Sequence, residues 1–173
     1  MSSDIHAEFL EATLPASDLV YNLARRLLRS EDAVEDLVQE TYVKAFEAWS
    51  RGRKPRKVEP WLATICLNAG RSIWRKASTR REILSEPDMN EPDETDVEAE
   101  ALQRLRKESI HEALWHLPEE QRIAVTLMDL NGFSAGEIAR MTGIPRGTVL
   151  TRVHRARKRL AQLAEREVIK LER

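Results

Sequence analysis

Residues 132–160 read GFSAGEIARMTGIPRGTVLTRVHRARKRL, and the fold class is decided there. Ser134 and Glu137 have the spacing of a capping box, in which a hydroxyl and a carboxylate satisfy each other's orphan N–H groups. A helix is therefore predicted from this point to about Thr142. Gly143-Ile144-Pro145 is a tight turn, glycine being the residue for which positive φ is cheap. A last helix follows from about Arg146 to Leu163 or beyond. Ala139 is a small residue at the expected helix crossing, and Val149 is an apolar anchor six residues after Gly143. These offsets specify two helices meeting at a steep angle, a helix-turn-helix.

On the last helix Val149, Val153, Ala156 and Leu160 form one apolar stripe. Thr151, His154, Arg155 and Lys158 lie opposite, with Arg152 beside them. Six Arg or Lys and no acid fall between Arg146 and Arg159. A helix apolar behind and cationic in front fits the major groove, where Arg bonds guanine edges and phosphates. Arg146, Gly147 and Thr148 offer backbone N–H groups to a phosphate. A cationic face alone also fits a solvated bundle surface; the turn and packing offsets favour DNA.

Working outward, Asn131-Gly132 stops a helix that Pro118 opens, with Glu119 and Glu120 in its first turn, where carboxylates favour the positive helix end. A further helix is expected from about Glu98 to Leu117. Residues 82–100 hold nine acids, no base and two prolines, a composition too self-repelling for a core and typical of a tether. The reading is all-α: a domain over 1–81, an acidic flexible linker over 82–100 and a domain over 101–173.

The first domain is helical from Ser3 to Ser30 with a break near Pro15. Ser30 and Asp32 cap a helix from Ala33 to Trp49 with a core stripe of Val34, Val38, Tyr42, Ala45 and Trp49. A basic loop, RGRKPRKVEP (residues 51–60), leads to a helix started by Pro60, with Leu62, Ile65, Cys66, Ala69 and Ile73 inward. Trp61, Thr64, Asn68, Arg71 and Arg75 share another face. Cations, an aromatic and an amide suit single-stranded DNA; an amphipathic helix with a half-buried tryptophan suits the pattern equally. Asp36, Glu40, Val43 and Glu47, with Gln39 adjacent, make an acidic face that is either solvated or docked on a basic partner.

Composition excludes several classes. Net charge is -1 over 173 residues with 42% hydrophobic and 33% charged content, so the cationic surfaces are local. A single cysteine, Cys66, allows neither a disulfide framework nor a thiolate zinc set. No apolar run approaches the roughly 20 residues of a membrane span, and the N-terminus lacks the order of a secretory signal; a cytoplasmic protein is expected. No nucleophile–base set or metal carboxylate cluster is evident, so no catalytic residue, metal or cofactor is expected.

EDAVEDLVQETYVKAF and WLATICLNAGRSIWRK resemble the second conserved region of extracytoplasmic-function (group IV) sigma factors of the sigma-70 family. LPEEQRIAVTLMDLNGFSAGEIARMTGIPRGTVLTRVHRARKRL resembles their fourth. The resemblance implies a factor that binds core RNA polymerase, recognises and melts promoter DNA, and is held inactive by an anti-sigma protein, with no membrane insertion. It assigns Asp36, Leu37, Gln39 and Glu40 to the polymerase coiled coil. For the minus-ten element it implies Arg51, Arg53, Lys54, Arg56, Trp61, Asn68, Arg71, Arg75 and Lys76. For the minus-thirty-five element it implies Thr151, His154 and Arg155 at bases, with Arg146, Thr148 and Arg152 nearer the backbone. Leu150 stands where the family usually has a basic residue, and Ser72 where it often has an acid. The alternative function is that of a stand-alone helix-turn-helix transcriptional regulator, which would bind duplex DNA without polymerase.

Overall fold

The structure is a computed structural model that describes residues 2–80 and 110–171, with side chains over 4–73 and 110–165. The tether at 82–100 and most of the helix expected over 98–117 lie outside the described residues. Every regular element described is helical: α1 (Ser2–Thr13), α2 (Ser17–Leu27), α3 (Glu31–Ser50), α4 (Val58–Arg80), a helical stretch over 110–115, α5 (Glu119–Val125), α6 (Ala135–Thr142) and α7 (Arg146–Leu171).

Pro15 lies in a 3-10 turn, Leu14–Ala16, that joins α1 to α2. Thr13 is fully buried because its hydroxyl donates to the Phe9 carbonyl at 2.7 Å. The Ser30 hydroxyl accepts from Ala33 N–H at 3.2 Å, and Glu31 and Asp32 occupy the first turn of α3, as the helix dipole favours. Gly52, at φ 80°, turns the chain out of α3. α4 starts at Val58, two residues before Pro60, which falls in the first turn where its missing N–H costs nothing.

α2, α3 and α4 pack around Leu23, Leu37, Leu62 and Leu67, all without exposed surface. A Cβ on Gly70 would come within 2.9 Å of Leu27 Cδ1 and 3.4 Å of Leu37 Cδ2, so α4 crosses its neighbours at glycine distance. Burial pushes the Cys66 thiol up to about 12, leaving it a small apolar core group. Val34, Ala45 and Trp49 of the expected α3 stripe are buried, with Val38 and Tyr42 packed against the core. Leu37 and Thr41 complete it. Leu37, expected beside Asp36 at the polymerase contact, points inward in this chain with no exposed surface.

α5 runs into a π-helical turn, Thr126–Leu130, closed by Asn131 N–H on the Thr126 carbonyl at 3.0 Å. Gly132, at φ 72°, then redirects the chain. α6 begins with the full Ser134–Glu137 capping box, and Gly143, at φ 72°, donates to Ala139 O at 2.9 Å. Val149 and Val153 of α7 are buried behind α6, and Ala156 packs with Leu114, Leu117 and Val125.

The two halves share one apolar cluster. Ile123, Ala124, Leu127, Ile138 and Met141 continue the core that begins with Val20, Leu23 and Leu27. Arg122 is 3% exposed and donates Nε–H to the Arg26 carbonyl at 2.8 Å. Its second guanidinium nitrogen reaches Leu117 O at 3.2 Å, and its plane stacks 4.0 Å from the Trp115 ring centre.

Candidate nucleic-acid interface

α7 carries the outward cationic face. Arg146, Gly147, Leu150, Thr151, His154, Arg155 and Lys158 are exposed along it, and Thr148 is half-buried. The Thr151 hydroxyl donates to Gly147 O at 2.9 Å, so its proton is already committed. Two of the six basic residues are engaged inside the domain. Arg152 pairs with Glu120 at 2.8 Å, and its side chain is only 24% exposed. Arg157 grips Asp129 through two bonds, 2.9 and 2.6 Å, which tie α7 to the π turn and hold the Asp129 carboxyl below its usual range. Arg146, Arg155, Lys158 and Arg159 make no ion pair among the described residues and remain available to phosphate or base.

The basic loop lies beside the start of α4. Arg53 and Arg56 are exposed, and Arg51 stands 3.9 Å from Glu47. Lys54 binds both Glu8 oxygens, at 2.6 and 2.7 Å, and sits 5.4 Å over the Trp49 ring. Trp61 is half-buried with its ring 6.2 Å from that of Trp49. Trp61, Thr64, Arg56 and Lys57 line one wall of a cleft of about 330 Å³; Glu137, Arg140 and Met141 of α6 line the other. Asn68 is exposed one turn further along α4. Arg71 opens into a second cavity of about 290 Å³, shared with Glu119, Glu120 and Arg152. Arg71 and Arg122 draw the Glu119 carboxyl toward its charged form, but burial outweighs them and holds it above the ordinary range. Arg75 and Lys76 stand on α4 beyond the described side chains.

Asp36, Gln39 and Glu40 come together on α3 around an open depression of about 450 Å³ that Ala33, Val43 and Ile73 also line. Glu40 is bonded to Lys44 at 2.5 Å. Val43 is 52% exposed, an apolar centre inside an acidic rim.

The seam between the halves has its own chemistry. Arg26 touches His111 Nδ1, while the Trp115 indole N–H lies 3.1 Å from Nε2. A neutral imidazole has one acceptor nitrogen, so it accepts from only one of them at a time, and a charged imidazole accepts from neither. Burial first, then Arg26, Arg25, Arg29 and Arg122, push His111 down to about 4. Nothing in local periodicity marks Arg26, His111 and Arg122 as neighbours. Arg140 was likewise absent from the expected set; Lys57 falls within the basic loop expected to act with Trp61 and Asn68, and the charge run at 51–57 was its one signal.

Among the described residues no helix is long and apolar enough to cross a membrane, and no group of three or more His, Cys, Asp or Glu could hold a metal ion.

Residues 16–80 match the family description "Sigma-70 region 2" and residues 107–160 match "Sigma-70, region 4". The ECF RNA polymerase sigma factor SigM of Mycobacterium tuberculosis is 33% identical over 144 residues, 83% of this chain and 70% of that protein. The chain belongs to the ECF RNA polymerase sigma factors. The SigE sigma factor of Mycolicibacterium smegmatis is 36% identical over 148 residues, 83% of this chain and 56% of that longer protein. The fold is also that of the sigma factor RpoE, solved in complex with the anti-sigma factor NepR from Bartonella quintana. There the TM-score is 0.74 at 29% identity, covering 91% of this chain and 97% of the other. Sigma factors are initiation factors without catalytic chemistry of their own. The sites on this ECF factor are accordingly surfaces for binding rather than reaction centres.

Proposed function

We propose that this ECF sigma factor docks on core RNA polymerase through Asp36, Gln39 and Glu40, and directs it to promoters through two DNA contacts. The observation that carries the reading is the cationic N-terminal half of α7, held outward by a buried Val149–Val153 stripe on a capped helix-turn-helix. Arg146, Thr151, His154 and Arg155 read the upstream element. Arg53, Arg56, Trp61, Asn68 and Arg71 take the melted downstream strand, a flipped base entering the cleft beside Trp61. That cleft is roofed by α6, so the melted strand enters only after the two halves separate. Core polymerase supplies the separation by holding each half at a set spacing, which makes the second DNA contact effectively intramolecular. Energy gained only with open DNA then shifts the duplex toward melting.

An anti-sigma protein is the expected regulator, by likeness to the Bartonella complex, and the acidic rim around Val43 is the surface it would cover. The protein works in the cytoplasm, where core polymerase and promoter DNA are found. The test is transcription with purified core polymerase. Expected are co-purification with core enzyme, loss of it in an Asp36→Lys, Glu40→Lys variant, and promoter-specific run-off. A chain that ignores core enzyme yet binds its sites as free duplex is a stand-alone regulator, and the proposal fails.

A further inference from the structure

α7 presents one large apolar side chain among its exposed cations. Leu150 is 46% exposed, five residues into the helix. Its neighbours on that surface are Arg146, Gly147, Thr151 and His154, one turn before, beside and one turn after it. A lone surface leucine is ordinary, and what distinguishes this one is its surroundings. The N-terminal turns of a recognition helix are those that reach base edges. Gly147, on the same face, has nothing within 4 Å of where a Cβ would stand, so the backbone there can lie close against a ligand. The Thr151 hydroxyl proton is committed to Gly147 O, so toward the groove that side chain offers its methyl and acceptor lone pairs.

Leu150 can neither bond a phosphate nor read a donor–acceptor pattern. The apolar feature that the major groove offers is the C5-methyl group of thymine. We propose that Leu150 is a specificity residue, selecting a thymine in the upstream promoter element by burying that methyl group between its own side chain and Thr151. Arg146, His154 and Arg155 set the helix in the groove, and Leu150 makes one position of the site favour thymine over a base that lacks the methyl. The inference rests on the assignment of α7 to the upstream element.

The test uses the holoenzyme. Upstream elements are selected from a randomised library, and each thymine of the selected sequence is then replaced by deoxyuridine, which removes only the methyl. At one position the replacement is expected to weaken the wild-type holoenzyme about threefold to fourfold, the equivalent of one buried methyl. Leu150→Ala should weaken binding to the thymine duplex by a similar factor and should not distinguish thymine from deoxyuridine there. Because Leu150 is exposed, that variant should melt with the wild type, which separates loss of contact from loss of fold. Indifference of the wild type to every replacement, retained methyl sensitivity in Leu150→Ala, or a selected element without thymine would each overturn the proposal. Should the holoenzyme enrich no upstream sequence at all, the reading of α7 itself fails, and this inference with it.

Discussion

The Lys57 ammonium lies 3.1 Å from a Glu137 carboxylate oxygen, joining the loop before α4 to the first turn of α6 across 80 residues of chain. The same carboxylate accepts from Ser134 N–H at 3.0 Å. One side chain thus caps α6 and fastens that helix over the cleft beside Trp61.

The Glu137 carboxyl is held down to about 2, first by the Ser134 backbone N–H, then by Lys57 and the Ser134 hydroxyl. A carboxyl depressed in the folded chain contributes stability above its ordinary value near 4.5 and loses it as pH falls toward 2. Acid titration of the free protein, followed by urea midpoints, should show this loss. Glu137→Gln should flatten it while keeping an acceptor for Ser134 N–H. Lys57→Met should only narrow it, because the backbone bond is the larger cause; complete removal by Lys57→Met would reverse that ranking.

His111 titrates in a higher window. Its depressed value in the closed form means that proton uptake favours the parted or unfolded chain. The seam is at full strength above about 6.5 and weakens as pH falls toward about 4. A donor–acceptor dye pair, one dye on each half, should report separation across that window. His111→Gln should remove the pH dependence there, and a variant that still opens between those values would place the sensor elsewhere.

Gly143 stands at φ 72° with open space where a Cβ would be. The cost of Gly143→Ala is therefore backbone strain alone, about 1 kcal/mol. Thermal unfolding should show a modest loss, and holoenzyme binding to the upstream element should fall further than stability does, because the angle between α6 and α7 depends on this turn.

Arg155→Ala should weaken upstream-element binding by about 1–3 kcal/mol if its guanidinium pairs with a base. Asn68→Ala should leave binding to the closed duplex unchanged and reduce open-complex formation, measured by permanganate reactivity of the melted strand. Equal loss of both steps would remove Asn68 from the melted-strand pocket.

The helices and the helix-turn-helix were legible because their signals are local. Ser30, Ser134, Gly143 and Val149 each act within a turn or two of themselves. The inward setting of Leu37 was not legible, because the α3 stripe is wider than one residue per turn, so a position adjoining the acidic face still points inward. The pairing of Arg152 with Glu120 of α5 was not legible either, since no local pattern announces it. The seam was not legible, because Arg26, His111 and Arg122 come from three separate segments and meet only once the two cores have merged.

The crowding of Arg25, Arg26, Arg29 and Arg122 about one imidazole gives the joint an unusual response to ionic strength. Contacts held by opposite charges loosen in concentrated salt. Around His111 like charges are pressed together by buried apolar surface, so dissolved anions ease that corner of the joint. The exposed Lys57–Glu137 pair at the other corner loosens in the same salt, so rising ionic strength shifts the hold between the halves from one corner to the other.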